Sequence, residues 1–218
     1  MGEVREGQPT RPYRSQVRQE SARRTRQAIV AAATELFVSN GYTATSLADV
    51  ALAAGVARPT VFAAFGSKAA LLRQVLDQAL AGDDDAVPVA QRPWFQPVWT
   101  ATDQGGVIDG YAEVCTLIGA RAARVFETVR RAADGTPEVG DLWQTLLRNR
   151  RTGARMVVER AATLGPLRQR HDLERAVDEL WFYNDPTHYG ALVHERGWDE
   201  RTFRDWLARN MRHALLPG

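Results

Sequence analysis

Residues 46–68, SLADVALAAGVARPTVFAAFGSK, decide how the chain is read. Two short helices joined by a tight turn account for them. Ser46 can cap the first helix, and Asp49, three residues on, completes a capping box. Leu47, Val50 and Ala51 then fall at i, i+3 and i+4, one apolar face of a short helix. Gly55 can take the positive φ of a helix C-terminus, with Val56 turned inward. Pro59 is tolerated in the first turn of the second helix, where N–H groups have no intrahelical partner. Val61 and Phe65, four apart, give that helix its buried side. Such a pair is a helix-turn-helix, whose second helix can lie in a DNA major groove.

Working outward, a helix over about 21–40 carries Ile29, Ala33, Leu36 and Phe37 on its core face, with Arg23, Arg24 and Arg26 crowding its first turns. Gly41 ends it, and Tyr42 packs behind the motif. Ser67 caps a fourth helix, striped by Leu71, Leu72, Val75 and Leu76 and ending near Gly82. Asp83, Asp84 and Asp85 come next; without further ligands they read as a solvated linker rather than a metal site. Residues 1–20 hold Arg5, Arg11, Arg14 and Arg18 among Pro, Gly and Gln, which predicts a disordered basic arm. That arm either reaches the DNA backbone or minor groove or is a solvated tail.

No alternating strand pattern appears after residue 83. The periodicity predicts helices over about 89–101, 104–133, 138–164, 172–184, 186–196 and 199–216. Thr136 is offered as a cap with Pro137 at the first helical position, and Asp185-Pro186 repeats the device. The fold class expected is all-α. Residues 21–66 are expected to form a three-helix domain around the helix-turn-helix, 67–82 a connecting helix, and 83–218 a larger helical domain. The last helix carries Phe203, Trp206, Leu207, Met211, Ala214 and Leu215, a stripe too wide for a helix covered on one side only. Phe203, Leu207, Met211 and Leu215 are therefore the expected homodimer contact, beside the helix at 172–184.

Composition sets bounds on function. Of 28 basic and 26 acidic side chains, residues 1–82 hold 10 and 6, so the basic excess lies with the motif, as phosphate contact requires. One cysteine, Cys115, excludes an internal disulfide framework and fits a reducing cytoplasm. No run of 18 apolar residues exists, so no membrane span is expected. His188 and His194, six apart, point about 240° away from each other on a helix and do not converge on a metal; His171 and His213 have no neighbouring ligands. No nucleophile elbow, phosphate-binding glycine loop or zinc spacing appears, so neither an enzyme nor a cofactor is expected.

From residue 24 to residue 80 the chain resembles the TetR family of bacterial transcriptional regulators. The resemblance rests on RQAIVAAATELFVSNGYTATSLADVALAAGVARPTVFAAFGSKAALLRQVL, with its LF…NGY-x-x-TS, AAGV, T-V-F and F-G-S-K-A-x-L pieces. The segment 178–216 is similar to the C-terminal end of many actinobacterial members, which packs against its two-fold mate as a four-helix bundle. The resemblance implies a homodimer that binds double-stranded operator DNA, with a C-terminal domain that takes a small molecule. Carried over by position, the DNA-contacting residues are Thr45, Ser46, Arg58, Thr60, Phe62 and Lys68. Arg58 suits a bidentate contact to guanine; Thr45, Thr60 and Lys68 suit phosphates. The chain departs from the pattern at Phe62, where tyrosine is usual, and at Ala64, where histidine is usual.

Aromatic residues crowd the C-terminal part: Trp94, Phe95, Trp99, Tyr111, Phe126, Trp143, Trp181, Phe182 and Tyr183, with Met156 among them. They either pack the core and dimer interface or line a mainly apolar site. On the second reading the ligand residues are Trp94, Trp99, Tyr111, Phe126, Trp143, Met156 and Trp181, with Asn184 and His188 as polar groups. The expected function is a repressor released by a small, largely apolar effector. The alternative is a DNA-binding regulator with no effector, whose C-terminal core would be filled.

Overall fold

The structure is a computed structural model that describes residues 11–168 and 172–217, with side chains from residue 16 onward. Residues 1–10 of the expected arm and His171 lie outside the described residues. Ten α-helices and two short 3-10 turns carry the described chain, and no strand forms among those residues.

Helix α1 runs Arg11–Asn40, ten residues longer than its sequence pattern suggested. Only Gly and a mid-helix Pro break helices strongly, and Pro12 sits in the first turn where it is tolerated. Arg24 pairs with Glu20 one turn earlier at 3.0 Å, a spacing that supports the extension. Residues 11–20 are thus helical rather than a disordered arm.

Helix α2, Leu47–Ala53, begins with the full capping box: Asp49 N–H donates to Ser46 Oγ at 3.1 Å, and Ser46 N–H donates to the Asp49 carboxylate at 2.8 Å. Gly55 takes φ +66° in the turn. Helix α3, Arg58–Phe65, then leaves at 111° to α2, with no side-chain cap because Ala57 stands at the capping position. Helix α4, Lys68–Ala81, is capped by Ser67 and ends at Gly82 with φ +92°.

Proline shapes the segment beyond α4. Instead of one helix over 89–101, Pro93 and Pro97 divide the segment into 3-10 turns at Val89–Gln91 and Pro93–Phe95 and a short α5, Gln96–Thr100. Helix α6, Gln104–Ala133, and α7, Pro137–Ala162, are the long central pair. Thr136 precedes α7 without a side-chain capping bond; Pro137, already at the first turn, leaves fewer N–H groups to satisfy. Helix α8 is Leu173–Tyr183, α9 is Pro186–Tyr189 widening into a π-helical turn at Gly190–Glu195, and α10 is Glu200–Leu215.

Two apolar cores result, and both use α6. The first joins Ile29, Phe37, Val61, Leu72 and Leu76 of α1, α3 and α4 to Val125, Phe126 and Val129 of α6 and Leu142 and Leu146 of α7. The second joins Ile108, Tyr111 and Val114 of α6 to Val157, Val158, Val177, Leu180 and the inner face of α10. Gly119 marks where α9 crosses α6: a Cβ there would stand 2.7 Å from the Tyr189 side chain.

The stripe on α10 belongs to the second core. Phe203, Leu207, Met211 and Leu215 are all buried within the single chain, at 2% exposure or less. They are covered by α6 and α8 of the same chain, so they are not free to meet a partner, and the expected dimer contact is corrected on that ground. The stripe is wide because α10 is wedged between two neighbours rather than laid over one.

Candidate nucleic-acid interface and ligand cavity

The outward side of α3 presents Arg58, Pro59, Thr60, Phe62 and Ala63, all exposed, while Val61 points into the core. Arg58 makes no hydrogen bond among the described residues, and Phe62 is 63% exposed. Leu52, on α2, is exposed beside them. An apolar ring and a free guanidinium on one exposed helix face have no structural duty within the chain. Thr45 and Lys68 are placed differently. The Thr45 hydroxyl is buried and donates to the carbonyls of Leu36 and Gly41 at 3.2 and 2.9 Å. Lys68 Nζ donates to the carbonyls of Tyr42 and Thr45 at 2.9 and 3.0 Å and lies 4.2 Å from the Tyr42 ring centroid. Burial lowers its pKa from the ordinary lysine value. Both side chains lock the turn between α1 and α2 instead of facing outward, and Ser46 is engaged in its capping box.

Between the two cores lies a cavity of about 770 Å³. Phe95, Tyr111, Ile118, Phe126, Leu146 and Met156 supply its apolar wall. Of the sequence candidates, Tyr111, Phe126, Met156 and Asn184 line it; Trp94, Trp99, Trp143, Trp181 and His188 do not. Each of those five has other work. Trp94 lies against the Arg121 guanidinium, and Trp99 stacks on Phe95 while its indole N–H donates to the Ala90 carbonyl at 2.7 Å. Trp143 meets Phe126 edge-on at 4.9 Å from outside the cavity, and Trp181 covers Arg150 at 5.3 Å. His188 Nε2 stands 2.9 Å from the Phe182 carbonyl oxygen, on the outer surface with Phe182 and Trp206.

The polar end of the cavity centres on Arg150, whose side chain is 9% exposed. Its Nη2 donates to the Trp181 carbonyl at 3.0 Å and to Asn184 Oδ1 at 2.9 Å, and Nη1 pairs with Asp185 at 2.9 Å. Phe126 and Trp181 face the guanidinium at 5.4 and 5.3 Å. Asn184 Nδ2 in turn donates to the Tyr111 hydroxyl oxygen at 2.9 Å. Burial raises the Tyr111 pKa and pushes the Cys115 thiol up to about 12, so Cys115 is a neutral wall group and no nucleophile. Sequence reasoning passed over Arg150, yet its signal is present. It falls four residues after Leu146 and four before Ala154, an arginine set into the buried stripe of α7.

The other side of the cavity is a strap, residues 83–90, with Asp77 of α4 beside it. The strap is exposed over residues 83–88, as expected of a linker, yet it is held. Arg92, 4% exposed, donates to both Asp83 carboxylate oxygens and to the carbonyls of Asp85 and Val87. Arg23 of α1 grips Asp84 with two hydrogen bonds, at 2.9 and 2.7 Å, and holds its carboxyl down to about 2. Among the described residues no cluster of His, Cys, Asp or Glu is arranged to hold a metal ion, and no single helix is long and apolar enough to cross a membrane.

The family described as "Bacterial regulatory proteins, tetR family" matches residues 29–75, from the core face of α1 into α4. Comparison with curated proteins gives no match. Among solved structures, a transcriptional regulator from Saccharomonospora viridis in complex with choline superposes with a TM-score of 0.68 at 19% identity, over 88% of this chain and 98% of that one. NalD, the secondary repressor of the MexAB-OprM multidrug efflux pump in Pseudomonas aeruginosa, gives 0.68 at 20% identity, over 90% and 98%. SmeT in its triclosan complex gives 0.67 at 22%, over 88% and 92%. The chain therefore carries the DNA-binding segment of the bacterial tetR regulatory family on residues 29–75, set in the fold of these regulators.

Proposed function

We propose that the protein is a homodimeric repressor that binds a palindromic operator through α3 and is released by a small, largely apolar effector. The observation that carries this reading is the cavity of about 770 Å³ between the DNA-binding core and the C-terminal core. Its lining is mainly apolar with a few polar groups gathered at one end, the composition of a small-molecule site. Regulators of this fold have been solved with choline and with triclosan, which supports the cavity as the effector site.

The wall chemistry narrows the occupant. Arg150 is paired with Asp185, yet its buried Nε and Nη1 have no hydrogen-bond partner among the described residues. On the strap side Asp83 and Asp84 are paired in the same way, with Arg92 and Arg23. The effector is therefore a small, largely apolar molecule, hydrogen-bonded at the end of the cavity that holds Tyr111, Asn184 and Arg150.

At the DNA, Arg58 reads a guanine edge in each half-site, with Thr60 on a phosphate and Phe62 against a thymine methyl. Two copies of α3 then span half-sites about 34–36 Å apart. The dimer forms through the outer faces of α8 and α10, where Phe182 is 58% exposed beside His188 and Trp206. A large ring left in water on that face is what a second copy would cover.

Screening a library of largely apolar compounds by tryptophan fluorescence, with operator release followed in parallel, tests the main claim. A compound that binds the cavity and weakens operator affinity by about 5–150-fold is the expected result; binding without release would leave a site and no switch. Arg58→Ala should lose about 1–3 kcal/mol of discrimination at one base position per half-site. Lys68→Ala should instead lower the melting temperature and leave the salt dependence of DNA binding unchanged, since its ammonium holds carbonyls. If Lys68→Ala flattens that salt dependence, the lysine does reach a phosphate. Phe182→Asp should sediment as a folded monomer, whereas Leu207→Asp should lose helical circular dichroism. A Phe182→Asp variant that still sediments as a dimer would place the interface elsewhere.

A further inference from the structure

We propose that Asp84, Arg23 and Arg26 are positioning residues through which the wall of the cavity sets recognition helix α3. The inference rests on the cavity being the effector site. It supplies a route from that site to the DNA that does not pass along α4.

Three contacts make the route. The strap that walls the cavity is stiff because the buried Arg92 ties Asp83 to the carbonyls of Asp85 and Val87. Asp84 lies on this stiffened strap and faces α1, where Arg23 donates to both its oxygens and Gln27 donates at 3.2 Å. Arg23 adds a third bond to Asp85 at 3.3 Å. One helical turn further along α1, Arg26 Nη1 donates to the Ala64 carbonyl at 2.5 Å and its guanidinium lies 4.4 Å from the Phe65 ring centroid.

Ala64 and Phe65 are the last residues of α3, whose final carbonyls have no helical partner. A cation there meets both the free carbonyl and the negative end of the helix. Helix α3 has no side-chain cap at its other end and rests on Val61, Ala64 and Phe65 against the core, and Arg26 adds a charged tie at its C-terminal end. Residues three apart on a helix share a face, so Arg23 and Arg26 move together. A shift of the strap, as an occupant of the cavity would cause, pulls on Arg23 and is delivered by Arg26 to the end of α3. The fork geometry of arginine matters at Arg23, because a lysine could not hold both Asp84 oxygens in a fixed plane.

Amide hydrogen exchange on the full-length chain, read by mass spectrometry, tests this with the variants Asp84→Asn, Asp84→Glu and Arg26→Gln. Exchange over residues 58–66 should quicken in Asp84→Asn and Arg26→Gln by up to about fivefold, the ceiling an exposed ion pair sets. Asp84→Glu should largely restore protection, and Arg26→Gln should leave residues 83–90 unchanged. Circular dichroism confirms that each variant is folded. Unchanged exchange over 58–66 in Asp84→Asn would overturn the proposal, whatever Arg26→Gln does. A second arm adds the apolar dye N-phenyl-1-naphthylamine. It should slow exchange over 83–90 in both wild type and Asp84→Asn, and alter 58–66 in wild type alone. An equal response of 58–66 in both would route the signal through α4 and overturn the proposal. Failure of the dye to bind would count against the effector cavity itself, and the variant arm would still decide the relay.

Discussion

Phe126 is the residue on which the rest depends. It is wholly buried and belongs to the core that holds Ile29, Phe37, Leu72 and Leu76 of the DNA-binding helices. It also lines the cavity, with Trp143 edge-on at 4.9 Å behind it and Arg150 at 5.4 Å before it. One ring is thus the floor of the cavity and the roof of the DNA-binding core. Close-packed interiors do not deform continuously; they move between discrete arrangements. An occupant that displaced Phe126 would have to repack α1 and α4 as well.

Helix α6 makes this shared wall possible. At 30 residues it is about 45 Å long, enough to serve both cores with one rigid element. Its Thr128 hydroxyl is within hydrogen-bonding distance of the Phe37 carbonyl at 3.3 Å, which fixes the end of α1 to it. The polar end of the cavity is equally tied down. A buried arginine is costly unless paired, and Arg150 is held by Asp185, Asn184 and the Trp181 carbonyl together. That network also orients Tyr111 and Asn184 at that end of the cavity.

Much of this was legible in the sequence. The capping box at Ser46 and Asp49, the turn at Gly55 and the buried Val61 follow from local chemistry that tertiary packing leaves alone. The span of α6 was readable because no proline or cap interrupts its pattern. What escaped depends on partners distant in sequence. The three adjacent carboxylates at 83–85 are exposed, as a solvated linker should be, but only the fold brings Arg23 and Arg92 to them. The α10 stripe looked like an interface because periodicity reports that a face is covered, not whether the same chain covers it. Tryptophans drew attention as ligand residues, whereas Trp94, Trp99 and Trp143 brace the wall from behind. Thr45 and Lys68 carry polar groups that suit phosphate equally well, and only the geometry turns them to backbone carbonyls.

The central claim is that filling the cavity moves the recognition helices. Pulsed electron spin resonance measures this most directly, with nitroxide labels at Thr60→Cys in a Cys115→Ser background. The cavity-filling substitution Ile118→Trp stands in for an effector. On this account the label-to-label distance in the dimer shifts when Ile118→Trp is added. An unchanged distance distribution, in a protein that remains folded and dimeric, would contradict it.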